Sequence, residues 1–121
     1  MIDLEKQGRL AKAASYELAS AGTDIKDRAL SAIADILTDR AEEWLSANEE
    51  DLRAAEASGM KKAMLDRLRL TRERIDGIVE GVRQVKALPD PIGHVDSMDV
   101  RPNGLIIGKK RVPLGVIGII Y

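Results

Sequence analysis

The residues best suited to chemistry in this chain sit close together near its end. His94 is the only histidine and lies in the stretch LPDPIGHVDS between Asp90 and Asp96. An imidazole between two carboxylates invites a general-base or metal-binding reading. However, three such groups in a Pro/Gly linker do not have the spacing of a metal site, and a lone loop histidine reads as solvated. Gly104, Gly108, Gly115 and Gly118 invite a phosphate-binding reading. Their spacing matches neither G-x-G-x-x-G nor G-x-x-x-x-G-K-[ST]. Gly108-Lys109-Lys110 comes nearest, but its spacing is short and the hydroxyl residue is missing. Gly115 and Gly118 read as places where the backbone turns and packs closely. Lys109, Lys110 and Arg111 make a basic cluster with no aromatic residue among them. The charges of the whole chain balance to −1, so nucleic-acid or anionic-membrane binding is not expected. No Glu-x-x-His pair marks a carboxylate metal bundle. The absence of cysteine excludes a disulfide scaffold, a Cys-based zinc site and a thiol nucleophile from these 121 residues.

The elements that would position these residues fall into two unlike parts. Up to about Leu88 the chain is rich in Ala, Leu, Glu, Lys and Arg, which are good helix formers. From Pro89 onward it carries all four prolines together with β-branched residues. The spacing predicts a first helix over 3–21, with Leu10, Ala14 and Leu18 as its stripe and Gly22 as its stop. Thr23 or Asp24 caps a second, whose apolar face comprises Leu30, Ile33, Ala34, Leu37, Ala41, Trp44 and Leu45. This helix breaks near Thr38-Asp39 and resumes to Ala57, and Gly59 closes it. Trp44 is expected to pack into the core. A short helix over 61–68 follows. Thr71 caps the last helix, with Ile75, Ile78, Val79, Val82 and Val85 facing inward. Arg72, Glu73, Asp76 and Glu80 read as its solvated face.

Beyond the linker, MDVRPNGLIIGKKRV holds Asn103-Gly104 between β-prone segments, a strong hairpin signal in which both residues are expected at positive φ. The ending RVPLGVIGIIY has no charge after Arg111 and reads as a strand buried on both faces, the kind found in parallel sheets. The N-terminus has no apolar signal-peptide centre, and no apolar run reaches membrane-spanning length. Aromatic residues make up only 2%, so any core must be aliphatic. On residues alone, a helical layer, a hairpin and one orphan strand are visible, and an active site is not.

Two stretches, MLDRLRLTRERIDGIVEGVRQVKALPDPIG (64–93) and RPNGLIIGKKRVPLGVIGIIY (101–121), closely resemble the γ-glutamyl phosphate reductases, the proline-biosynthesis branch of the aldehyde dehydrogenase superfamily. The pieces L-D-R-L, L-P-D-P-I-G, R-P-N-G-L and R-V-P-L-G-V-I-G-I-I-Y carry the likeness. AKAASYELA and ALSAIADIL extend it over essentially the whole chain. Ile106 departs from the pattern, where a polar or charged residue is expected after the turn.

The resemblance implies an α+β fragment. An N-terminal helical segment with a Pro-rich linker occupies 1–97. The β-hairpin of an oligomerisation arm occupies 98–112, and the first strand of a truncated Rossmann-type nucleotide-binding domain occupies 113–121. For the parent enzyme it implies an NADP-dependent glutamate-5-semialdehyde dehydrogenase, a cytoplasmic homo-oligomer. In that reaction a cysteine thiolate displaces phosphate from L-glutamate 5-phosphate, and NADPH supplies the hydride that yields L-glutamate 5-semialdehyde. Ile120 and Tyr121, at the carboxyl end of the first strand, are the positions it places near the cofactor. The fragment alone is expected to be inactive and not to bind NADPH, with no nucleic-acid or membrane partner. The alternatives are a non-catalytic helical oligomerisation or binding module, or an unrelated helical binding protein. A continuation past Tyr121 carrying a cysteine and βα repeats would separate them.

Overall fold

A computed structural model describes residues 3–120, which divide into two units. One, Asp24–Leu88, is helical. α2 (Thr23–Asp39), α3 (Ala41–Ala57), α4 (Lys62–Leu68) and α5 (Arg72–Lys86) follow one another with short joints. α2 and α3 are nearly one helix. Only Arg40 leaves helical geometry, at φ −105° and ψ 22°, while its N–H still donates to Ile36 O (3.0 Å). The break expected near Thr38-Asp39 is therefore present and displaced by one residue.

α3 stops where Gly59 takes φ +80°, a left-handed conformation glycine adopts without a Cβ penalty. The Gly59 N–H donates to Glu56 O and the Met60 N–H to Ala55 O, the bond pair that satisfies the last carbonyls of a helix ending on glycine. At the start of α5 the Thr71 hydroxyl accepts the Arg74 N–H (3.2 Å), as expected for an N-cap.

The core of this unit is small and aliphatic. Ala34, Ala41, Ile75 and Val79 are buried, with Leu37, Leu45, Leu70 and Val82 packed against them. Its stripe is narrower than the sequence pattern suggests. Ile33 and Trp44 precede buried or half-buried neighbours by one residue, a rotation of about 100° around the helix. Both are exposed, as are Ile78 and Val85. This corrects the expectation of a buried Trp44, whose side chain is 40% exposed. The Arg40 guanidinium lies over its ring, 5.9 Å from the centroid. A core of so few residues covers one line of each helix, and the flanking apolar positions stay in solvent.

The second unit comprises Met1–Thr23 and Pro89–Tyr121. α1 (Leu4–Ala19) is capped by Asp3, whose carboxylate accepts the Lys6 N–H (2.9 Å). It buries none of its residues, so the stripe of Leu10, Ala14 and Leu18 is a face that nothing in its own unit covers. β1 (Val95–Val100) and β2 (Ile106–Lys110) pair antiparallel. The ladder begins three residues earlier than the hairpin read from the sequence.

The turn between the strands corrects one detail. Gly104 has φ +84°, but among the described residues no non-glycine has positive φ, so Asn103 does not share the left-handed conformation. The Gly104 N–H donates to Arg101 O and the Arg101 N–H to Leu105 O, both at 2.8 Å. This closes a three-residue loop, Pro102-Asn103-Gly104, with glycine at its left-handed end, a common hairpin form. Proline suits the second position of such a turn because its φ is already set. The Asn103 side chain accepts the Leu105 N–H (3.1 Å), so asparagine acts here through its carbonyl.

After β2, residues 111–120 form no regular element and are exposed. The strand expected over 113–121 has no ladder among the described residues. A strand is defined by its partner, and none of these residues supplies one.

Candidate functional site

Three titratable side chains, His94, Asp96 and Arg111, meet at the base of the ribbon. Asp96 interrupts β1: Val95 pairs with Lys110 and Ser97 with Lys109, leaving Asp96 as the extra residue of a bulge. Its carboxylate accepts from Arg111 Nε at 2.9 and 3.3 Å, and its Oδ1 lies 3.2 Å from His94 Nδ1. The Asp96 side chain is 26% exposed, against 56% for Arg111 and 67% for His94. Backbone bonds tie the same ends together, Arg111 N–H to His94 O (2.9 Å) and Gly93 N–H to Arg111 O (3.0 Å).

Of the residues singled out from the sequence, His94, Asp96 and Arg111 are thus brought together. Asp90 is engaged elsewhere, accepting from the Thr23 hydroxyl (3.0 Å) and from the Ile92 N–H (3.0 Å). The cluster at the ribbon base is an ion-paired knot with its acceptors in use. Among the described residues no group of three or more His, Asp or Glu side chains is placed to hold a metal ion.

A groove of about 570 Å³ in the helical unit is lined by Leu30, Asp35, Val82, Arg83 and Lys86 among others. It is open and mixes one carboxylate with two cations, so it offers no concentrated charge. At the α2–α3 joint, Arg40 Nε donates to Glu43 Oε1 (2.8 Å). That hydrogen bond is the main reason the Glu43 carboxyl is held below the usual carboxylate range, and Arg40 is raised in turn. Both groups are on the surface.

One internal polar residue escaped the sequence reading. Asn48, 7% exposed, donates from Nδ2 to Leu68 O (2.9 Å) and accepts at Oδ1 from the Leu70 N–H (2.6 Å). It fastens α3 to the joint between α4 and α5. Arg74 grips the same joint from α5, donating to Asp66 O (2.6 Å) and Arg69 O. The only local signal was a polar residue at a step of three or four from Leu45 and Leu52.

The two positions placed near a cofactor fare differently. Ile120 is wholly exposed and pairs with nothing among the described residues. Tyr121 lies outside the described residues. A dinucleotide crevice needs several strands and the glycine-rich turn into a helix. Residues 112–120 supply one segment with no strand partner among the described residues, so they do not by themselves form such a crevice.

No protein-family model matches the chain. Over all 121 residues the chain is 53% identical to a γ-glutamyl phosphate reductase from Lachnospira eligens. Over its whole length the chain is similar to γ-glutamyl phosphate reductases. Its backbone follows a solved γ-glutamyl phosphate reductase from Thermotoga maritima with a TM-score of 0.86 and 36% identity, over 93% of this chain. The Saccharomyces cerevisiae γ-glutamyl phosphate reductase gives 0.78 and 26% over 88%. Five helices and a two-stranded antiparallel ribbon are thus the γ-glutamyl phosphate reductase fold over the stretch the chain covers. That stretch is 29% of the Lachnospira protein and 27% of each solved chain, less than a third of their length. Among the described residues no helix is long and apolar enough to cross a membrane.

Proposed function

We propose that this chain is the helical layer and association ribbon of a cytoplasmic, NADPH-dependent reductase. That enzyme converts L-glutamate 5-phosphate to L-glutamate 5-semialdehyde and phosphate in proline biosynthesis. The observation that carries the reading is 53% identity across every residue of the chain to a γ-glutamyl phosphate reductase.

Attack on an acyl phosphate calls for a strong nucleophile that is also a good leaving group, and a thiolate is both. These 121 residues hold no cysteine, so the reacting groups belong to other sequence. NADPH is the hydride source of the proposed reaction, and no step in it is assigned to residues of this chain. The contribution of this chain is architectural. The helices form a support with a packed aliphatic line, and the ribbon projects Met98, Val100 and Ile106, each more than 60% exposed. A two-stranded ribbon is marginal in water unless something packs on it, which supports pairing with a second subunit.

The same exposed ribbon favours a second reading, a non-catalytic association module. One comparison separates the two. The 121-residue chain and a polypeptide continued in frame past Tyr121 are each assayed for phosphate-dependent reduction of NADP⁺ by glutamate semialdehyde, with mass measured by light scattering. Turnover by the continued polypeptide alone is the expected result. Turnover by the 121 residues would overturn the division of labour proposed here, and a stop codon after Tyr121 would favour the module.

A further inference from the structure

The bulge at Asp96 has a consequence for the faces of the ribbon. Side chains alternate along a strand, and directly paired residues share a face. Val100 with Ile106 and Met98 with Gly108 therefore lie on one face, and Asp99 with Ile107 and Ser97 with Lys109 on the other. Met98 lies flat across its partner: a Cβ added to Gly108 would sit 2.4 Å from Met98 Sδ. Strict alternation along β1 would then put Val95 with Ser97 and Asp99, and the Asp96 carboxylate among Met98, Val100 and Ile106. The observed register does the opposite. Counting along β2, Lys110 falls on the face of Ile106 and Gly108, and Val95 is its partner. The extra residue returns Val95 to the apolar side and turns Asp96 toward Arg111 and His94, which flank the ladder.

We infer that Asp96, held by Arg111, is a register-setting clamp. It keeps Val95 on the face of Met98, Val100 and Ile106 and holds the Asp96 carboxylate off that face. A one-residue slip reverses every side chain of a strand, so without the clamp the base of β1 has a competing register that carries Asp96 into the apolar face. Glycine at 108 completes the device by letting Met98 cross the ribbon. The inference is independent of the enzymatic reading, since it rests on the pairing of residues 93–111 alone.

The chain has no native cysteine, so engineered cysteine pairs report the register cleanly. Val95→Cys with Lys110→Cys spans the base below the bulge, and Ser97→Cys with Lys109→Cys spans the pair above it. Directly opposed strand residues lie within disulfide reach. Each pair is oxidised in the 121-residue chain with and without Arg111→Met, which removes the donor and the charge while keeping side-chain length. The expected result is that Arg111→Met lowers the 95–110 cross-link about fivefold, as for one partly exposed charge-assisted hydrogen bond. The 97–109 cross-link is unchanged. Asp96→Ala gives the same pattern by removing the other partner. An undiminished 95–110 cross-link in both variants overturns the inference. Equal loss of both cross-links also overturns it, because the pair would then hold the whole ribbon and not its register.

Discussion

Asn48→Ala tests whether the helical unit depends on its one buried polar bridge. The side chain is 7% exposed and serves two backbone groups, Leu68 O at 2.9 Å and the Leu70 N–H at 2.6 Å. Truncation leaves the Leu68 carbonyl and the Leu70 amide without this partner. A buried group deprived of its partner costs about 1–3 kcal/mol. Two such groups, with partial rescue by one entering water, give about 2–4 kcal/mol. A small domain has about 5–15 kcal/mol in all, so this one change consumes a large share of it. Urea unfolding followed by circular dichroism should show a lower midpoint with unchanged slope.

Asn48→Asp sharpens the test. A carboxylate still accepts from Leu70 but sets its second oxygen against the Leu68 carbonyl, so only the protonated acid can replace the lost donor. Its folded pKa is therefore raised above the unfolded value. The stability of the variant should be fullest at acid pH and fall as pH rises from the unfolded toward the folded pKa, then level off. A loss below about 0.5 kcal/mol for Asn48→Ala, in the range of ordinary surface changes, would refute the bridging role.

Four further outcomes are expected. Trp44→Ala should cost about 1 kcal/mol or less, the scale of an exposed cation–π contact, and the native emission spectrum should be that of a hydrated indole. Ile75→Ala should cost about 2–5 kcal/mol in thermal or urea unfolding because its site is 2% exposed, whereas Ile78→Ala on the solvent side should cost well under half as much. Gly104→Val should weaken the ribbon by about 1–3 kcal/mol, since a β-branched residue is strained at φ +84°; faster amide exchange at Arg101 would show it. Glu43, held below the usual carboxylate range chiefly by its Arg40 hydrogen bond, should stabilise the α2–α3 joint above that range. The contribution should be lost as pH falls through its folded pKa, and a carboxyl titration by NMR in Arg40→Gln should move back toward the ordinary value.

Much of this protein is decided within a few residues of chain. Thr71 caps α5, Gly59 ends α3, the helix breaks at Arg40, and Pro102-Asn103-Gly104 turns the ribbon, each through a bond spanning three to five residues. Such features are legible in sequence because the energy that fixes them is local: a cap satisfied, a φ permitted, a proline tolerated. The family likeness was legible too, carried by L-P-D-P-I-G and R-V-P-L-G-V-I-G-I-I-Y, because those strings record the whole fold and not only its parts.

What the tertiary structure alone decided is which side of each pattern meets a neighbour. Periodicity marks Leu10, Ile33, Trp44, Ile78 and Val85 as apolar positions on helices, but burial depends on what another element covers, and these are left exposed. The bridge made by Asn48 could not be read from its spacing to Leu45 and Leu52, since its partners lie 20 and 22 residues away. The ribbon base turns on a single inserted residue, which no periodicity reports, and its charges meet across 15 residues of chain. Residues 113–120 have the composition of a buried strand and no ladder. Composition sets what a segment tolerates, and only a partner's backbone makes it a strand.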